Sequence, residues 1–300
     1  PSGKAAHYKD LVAAASLLSV PDEADVRLKA PEQYRLLGQR ISNASAEGIA
    51  TGEPIFGIDA QVDGMVYASF VKCPSIGGVA KSANLEVVKA LPGIIDAFIL
   101  DGTPGPYNFD IRESYAIQSG VAIVGKDTWS TFKARETLKV DWDLSTASRD
   151  DSDAIEAEAL TALAAGKVET EIERAGDVDA AFANAAMTAD ATYSTDFVSH
   201  AQLEPQGVVI SAATSAVEVW TSSQTPVFVT SNLVKLLDVT PGNITVHQLR
   251  GGGGFGRRLS NEYIYEAALI SRRVGTPVKL QWKREDDMAF DYFRAPTYYR

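Results

Sequence analysis

The chain has 300 residues, 45% hydrophobic and 22% charged, with a formal net charge of −11 at pH 7. That length suggests about two domains, and the negative balance lacks the basic footprint that nonspecific nucleic-acid binding needs. A single cysteine, Cys73, excludes an intrachain disulfide, a Cys-type zinc site or an iron–sulfur cluster built from this chain alone. The histidines His7, His200 and His247 show no metal-ligand spacing, and no apolar run is long enough to span a bilayer.

In chain order, Tyr8–Leu18 reads as a short helix stopped by Pro21, and the polar run Asn43–Gly52 as a loop. From Ile55 to about Asp143 the pattern is α+β. Strands are expected at Met65–Val71 and Ile94–Leu100, around a helix at Asn84–Leu91 that Pro92-Gly93 terminates. A turn cluster at Asp101–Pro106 follows. A second strand–helix–strand unit then comprises Val121–Val124, a helix at Thr128–Leu138 entered through Gly125-Lys126-Asp127, and Lys139–Asp143.

The Ser/Asp-rich stretch Leu144–Asp153 is the best linker candidate. Beyond it lie helices at Ala154–Ala165 and Asp177–Ala186, and strands at Met187–Ser194, Gly207–Ser211 and Ala216–Ser222. A helix at Thr225–Leu237 carries Pro226 in its first turn. A strand at Ile244–Leu249, a helix at Asn261–Val274 and a strand at Val278–Trp282 complete the pattern. The chain starts at Pro1 without Met and stops at Arg300 in sequence that reads as structured, so it is expected to be a piece of a longer polypeptide.

Three motifs carry chemistry. Arg250-Gly251-Gly252-Gly253-Gly254-Phe255-Gly256-Arg257-Arg258 places five glycines in six positions before two arginines. Glycine lacks a Cβ, which permits positive φ and lets another group approach the main chain; the arginines suggest that part of that group is anionic. Gly251-x-Gly253-x-x-Gly256 formally matches the dinucleotide fingerprint. Against that reading, the next helix is expected to start only near Ser260, and Phe255 interrupts the glycines. A Walker-type phosphate loop needs Gly-Lys-Ser/Thr where this chain has Gly256-Arg257-Arg258.

The second motif, Ser222-Ser223-Gln224-Thr225-Pro226, puts a neutral carboxamide at the end of a strand beside a helix N-terminus, where Gln224 is either a ligand-facing group or a capping residue. In the third, His200-Ala201-Gln202-Leu203-Glu204-Pro205, the two ionisable residues either pair locally or serve separately, Glu204 on backbone amides and His200 in the core.

Together, in this order and spacing, the motifs resemble the molybdenum-binding subunit of the xanthine dehydrogenase and aldehyde oxidoreductase family. The ending Phe255-Gly256-Arg257-Arg258 resembles its isoquinoline 1-oxidoreductase beta-subunit branch. Pro277–Met288 resembles the family's strand after the loop, and Gly52–Asp59 with the two strand–helix–strand units resembles its hammerhead domain. The resemblance implies an α+β chain with an N-terminal segment (1–36) packing on the cofactor domain. A hammerhead-like α/β domain (37–146) and the first part of a molybdopterin-binding domain (147–300) follow.

It further implies a bacterial molybdenum hydroxylase that oxidises an aldehyde or aromatic N-heterocycle, with water as oxygen source. The cofactor is molybdopterin in its cytosine dinucleotide form, and no protein side chain ligates the metal. Gln224 faces the molybdenum oxo group; Gly252, Gly253, Gly254, Phe255, Gly256 and Arg257 bind the cofactor, with His200 and Glu204 in support. The family's general base, a glutamate in Gly-x-Gly-Glu, is not in this chain. The remaining part of the subunit, or a second chain, is therefore an expected partner. A small 2Fe–2S subunit and a small-molecule substrate are the others, with no nucleic acid and no transmembrane segment in this chain. Leu259 stands where purine enzymes of the family place a substrate-binding acid, which favours an apolar heterocycle or an aldehyde over xanthine. Twin-arginine signals among relatives of the branch leave periplasm and cytoplasm both open. The rivals are a noncatalytic fragment or scaffold of the same fold and an NAD(P)-binding oxidoreductase.

Overall fold

A computed structural model describes residues 5–54, 56–103, 116–166 and 169–300. The turn expected at Asp101–Pro106 lies within that range only as far as Thr103, and its other half falls outside the described residues. The chain divides into two compact units, Pro1–Glu53 and Pro54–Arg300. The first holds helices α1 (Tyr8–Ala15) and α2 (Ala46–Thr51), neither with a buried residue. Helix α2 falls within the run expected to be a loop. Asn43 accepts the Ser45 N–H just before it, and Gly52 closes it at φ +75°; turn residues at both ends hide a six-residue helix from a composition argument.

The second unit is built on a seven-stranded sheet of order β3-β4-β1-β10-β7-β8-β9. In chain order it contains β1 (Val66–Lys72), β2 (Val79–Ala83), α3 (Leu85–Lys89), β3 (Ile94–Leu100), β4 (Gly120–Gly125), α4 (Thr128–Ala134) and β5 (Val140–Asp143). These are followed by α5 (Ser152–Ala164), α6 (Val178–Ala183), β6 (Tyr193–Thr195), β7 (Gly207–Ser211), β8 (Val217–Thr221), α7 (Pro226–Leu237) and β9 (Ile244–Gln248). Last come α8 (Glu262–Val274), β10 (Val278–Gln281), α9 (Arg284–Ala289) and β11 (Thr297–Tyr299). Strands from both sides of the Leu144–Asp153 stretch share the large sheet, because β1 pairs in parallel with β10, Val66 opposite Val278. Two smaller pairs, β2–β5 and β6–β11, stand apart from it.

Local chemistry explains the boundaries. Asp127 accepts the Ser130 N–H at 2.7 Å and starts α4, while Asp151 and Asp177 cap α5 and α6 in the same way. Pro226, with no N–H to leave unpaired, opens α7, and Gly275 at φ +75° ends α8. The strand expected at Met187–Ser194 is reduced to exposed β6. It pairs only with β11, so alternation there has no core to face.

Side chains alternate across the sheet as a two-residue period requires. Ala122 and Val124 of β4 join the main core under α7 and α8 with Phe70, Ile210, Leu233 and Ile264. Ile123 points the other way, into a second cluster with Val88, Ala97 and Ala134 from the α3 and α4 side. Each such buried aliphatic side chain contributes roughly 1.5–3 kcal/mol relative to exposure. Sheet and helices are thus a rigid base from which the loops after β8 and β9 project.

Candidate functional site

Strands β8 and β9 are parallel, with Thr221 opposite Gln248, so both chains leave the sheet at the same end. In open sheets that end is where ligand-binding loops gather. The segments that follow are tied together at several points. Leu249 N–H donates to Thr221 O at 2.7 Å, the Gln248 carboxamide donates to Ser223 O at 2.8 Å, and Gln224 N–H donates to Arg258 O at 2.9 Å. Thr225 Oγ1 donates to Leu259 O at 2.8 Å, and Ser223 Oγ to the Asn261 carboxamide at 2.7 Å. The Gln224 turn and the glycine segment are therefore one structure.

Within it, Gln224 Oε1 lies 2.5 Å from where a Cβ would stand on Gly254. The carboxamide of Gln224 makes no hydrogen bond among the described residues, and neither do the main-chain N–H groups of Gly253, Gly254, Phe255 and Gly256. Gly253 (φ +93°), Phe255 (φ +55°) and Gly256 (φ +105°) all adopt left-handed backbone. For a bulky phenylalanine that is an outlier of the kind that persists where surroundings over-determine it. Phe255 is 71% exposed.

The flanks of the loop differ. Gly252 N–H donates to Glu204 Oε2 at 2.5 Å, and Ile58 N–H donates to Glu204 Oε1 at 2.7 Å. The Arg258 guanidinium donates to Gly253 O, Gln206 Oε1, Ser222 Oγ, Glu204 O and Glu204 Oε2, all at 2.8–3.1 Å. Arg257 pairs with Glu262 and with Asp291, and it donates to Phe290 O. Burial works against its charge, but Glu262 and then Asp291 outweigh that and keep it cationic. Both arginines are 1% exposed.

The expectation that Arg257 meets an anionic ligand is therefore corrected for its side chain, which is turned into the protein by two carboxylates. Nor do His200 and Glu204 form a local pair. Glu204 serves backbone amides, while His200 Nδ1 lies 2.9 Å from Asp291 Oδ1. Asp291 also accepts the His200 N–H at 2.6 Å and Ser199 Oγ–H at 2.8 Å. The glycines, too, are constrained first by their own chain. A Cβ at Gly252 would stand 2.5 Å from Glu204 Cβ, and one at Gly256 would stand 3.2 Å from His200 Nε2.

Sequence reasoning missed Asp291, Glu262, Gln206 and Ser222, whose partners lie up to 91 positions away; no local pattern marks them. It also missed a buried cluster behind the site. Lys72 Nζ lies 3.1 Å from Glu266 Oε1 and 3.3 Å from the Trp282 ring centroid, and Trp282 Nε1 donates to Glu266 Oε2 at 3.0 Å. Burial pushes the Glu266 carboxyl up to about 7 despite Lys72, and it lowers the lysine.

The dinucleotide reading fails on topology. A 3-10 turn, Arg257–Leu259, separates the glycines from α8, and two strands separate β10 from β9. The loop therefore does not open a helix between adjacent strands.

Geometry and topology define an α+β fold with an open loop at one end of its sheet, and comparison assigns its class. Residues 161–300 match the molybdopterin cofactor-binding domain family. The chain belongs to the molybdenum-binding subunits of the xanthine dehydrogenase and aldehyde oxidoreductase family, and it is similar to their isoquinoline 1-oxidoreductase beta branch. It is 28% identical to isoquinoline 1-oxidoreductase subunit beta of Brevundimonas diminuta, over 91% of this chain and 34% of that protein. It is 30% identical to a membrane-bound aldehyde dehydrogenase (pyrroloquinoline-quinone) of Gluconacetobacter polyoxogenes, over 99% of this chain and 38% of that one. The fold matches the aldehyde oxidoreductase of Desulfovibrio gigas with TM-score 0.64 at 16% identity, over 95% of this chain and 34% of that one. The chain thus spans little more than a third of the length of these relatives. No helix among the described residues is long and apolar enough to cross a membrane.

Proposed function

We propose that this chain forms part of the large subunit of a molybdenum hydroxylase that oxidises an aldehyde or aromatic N-heterocycle. The observation that carries the reading is the pairing of an unbonded Gln224 carboxamide with four consecutive unbonded amides, Gly253 to Gly256, in a segment matching the molybdopterin-binding family. Free donors beside Cβ-free backbone suit a group rich in oxygen and sulfur acceptors. When bound, the molybdenum centre would supply transfer of a water-derived oxygen and take up two electrons.

The residues of this chain would hold and orient it. Gln224 would donate to an oxo group, and Gly252, Gly253, Gly254, Phe255 and Gly256 would present main chain. Fixed donors of this kind stabilise developing negative charge without rearranging. Glu204 acts behind them by fixing the loop at Gly252, and His200, held by Asp291, stands beside Gly256. A neutral carboxamide offers such a bond without the full charge of a lysine. One relative's name carries pyrroloquinoline quinone; the family match over the loop itself favours molybdopterin.

The cytosine dinucleotide form, a 2Fe–2S partner subunit that receives the electrons and further polypeptide that supplies a base complete the proposal. So does a division into an N-terminal segment (1–36), a hammerhead-like region (37–146) and a cofactor-binding region (147–300). In the assembled complex, Gln224→Ala is expected to lower turnover about a hundredfold while molybdenum and pterin content stay near wild type. Unchanged turnover would remove Gln224 from the site.

A further inference from the structure

A cleft of about 570 Å³ opens beside Phe255, lined in part by Ser199, His200, Phe255, Arg294, Thr297 and Tyr299. A smaller hollow shares His200 and Arg294 with it and adds Tyr292 and Phe293. Phe255 and Tyr299 give the cleft flat aromatic faces, and two of its polar groups offer a ligand atoms that have no partner among the described residues. The first is His200, whose side chain is only 10% exposed. Its Nδ1 is committed to Asp291, a carboxylate that burial pushes up but that hydrogen bonds from His200 and Ser199, with Arg257 nearby, hold below its ordinary range. A carboxylate only accepts, so the ring proton sits on Nδ1, and in the neutral ring Nε2 is left as an acceptor. Nε2 has no partner among the described residues, and it has room because Gly256 lacks a Cβ.

The second group is the Arg294 guanidinium, which makes no hydrogen bond or ion pair among the described residues. Its backbone is fixed by paired hydrogen bonds with Val198. Asp196 also lines the cleft and makes no ion pair with it.

We infer that this cleft binds an aromatic acid: a flat ring carrying one hydroxyl or N–H donor for His200 Nε2 and one carboxylate for Arg294. The inference rests on the functional reading above only in making that ligand, where its ring also bears an aldehyde or a ring nitrogen, the organic substrate of the same site; binding itself needs no metal. The arginine fork suits a carboxylate, the aromatic walls suit a ring, and a buried unpaired acceptor discriminates against ligands that lack a donor.

The test is calorimetric titration of the assembled complex with para-hydroxybenzoate, benzoate and phenol, with molybdenum content measured on the same preparations. Para-hydroxybenzoate is expected to bind about tenfold more tightly than either single-function probe. In His200→Asn, whose amide can still reach Asp291 but not the Nε2 position, its advantage over benzoate disappears. In His200→Gln, which extends to that position, part of the advantage returns. Arg294→Gln, at an exposed position and safe for folding, should reduce para-hydroxybenzoate to the affinity of phenol. Equal affinities for all three probes, or full discrimination retained in His200→Asn or Arg294→Gln, overturn the inference. Absence of molybdenum with discrimination intact overturns the functional reading and leaves the binding site standing.

Discussion

The middle and the flanks of the segment from Arg250 to Arg258 behave oppositely. Gly252, Arg257 and Arg258 are tied inward by Glu204, Glu262 and Asp291, and both guanidinium groups are sealed from water. From Gly253 to Gly256 the amides are unbonded, and the aromatic ring between them faces outward. The contrast teaches that the charge of this motif is structural, while its open middle is what the proposed function would use. Buried ion pairs immobilise a short stretch of main chain so that its free donors keep one arrangement. Such pairs add little net stability but are costly to break singly.

If that division holds, the largest loss of stability should come from a flank. Arg258→Met removes five hydrogen bonds and leaves the Glu204 carboxylate buried without its cation. The expected cost is about 3–5 kcal/mol in denaturant unfolding. A loss below about 1 kcal/mol would mean that the pair is no more than a surface-like contact.

The cluster behind the loop sharpens the same contrast through pH. Glu266 titrates near 7 in the folded protein, above its ordinary 4.5, because burial disfavours its charge more than Lys72 favours it. A raised pKa stabilises the fold fully below about 4.5, and that contribution is lost as pH rises through about 7. Unfolding free energy should therefore decline over this window, by at most about 1.4 kcal/mol per pH unit for one proton, and the melting temperature should fall with it. Glu266→Gln should flatten the decline. An unchanged slope would assign it to other groups.

Gly252→Ala comes next. Its Cβ would stand 2.5 Å from Glu204 Cβ, the rigid base of that side chain, so the backbone must shift. A cost of about 1–3 kcal/mol is expected. The same change at Gly254 meets only the far end of the Gln224 side chain, which can give way at little cost to the fold, and it should leave stability almost untouched. Equal losses at the two glycines would erase the distinction between flank and middle.

Much of this was legible in the sequence, and the illegible part has a physical cause. Strand periods and turn residues placed β7, β8, β9 and α8 to within a residue or two, while the parallel pairing of β8 and β9 that brings Gln224 and the glycines to one end of the sheet came from the fold. Glu204 was readable as a backbone acceptor because it precedes Pro205. The inward turn of the arginines was not readable, since it depends on Asp291 and Gln206, distant in sequence and unremarkable where they stand. Two consecutive arginines after glycines look identical on paper whether they meet a ligand or their own protein; only the folded chain supplies the competing carboxylates. Similarly, α2 and β11 are too short for a periodic signal to emerge.

The smallest effect expected is a gain. Phe255 holds φ at +55°, a region that costs an L-residue roughly 1–2 kcal/mol, and its exposed ring recovers little through packing. Phe255→Gly removes that strain, but it adds conformational freedom to the unfolded chain, which offsets up to about 1 kcal/mol. The net expectation is a stability equal to wild type or up to about 1 kcal/mol higher, read from denaturant midpoints at constant slope. If a phenylalanine is kept in that conformation for what it touches in the complete enzyme, the same variant should lose molybdopterin content as the protein gains stability. A destabilised Phe255→Gly would show instead that the ring packs against its own chain, and the open middle of the loop would then be no more than another flank.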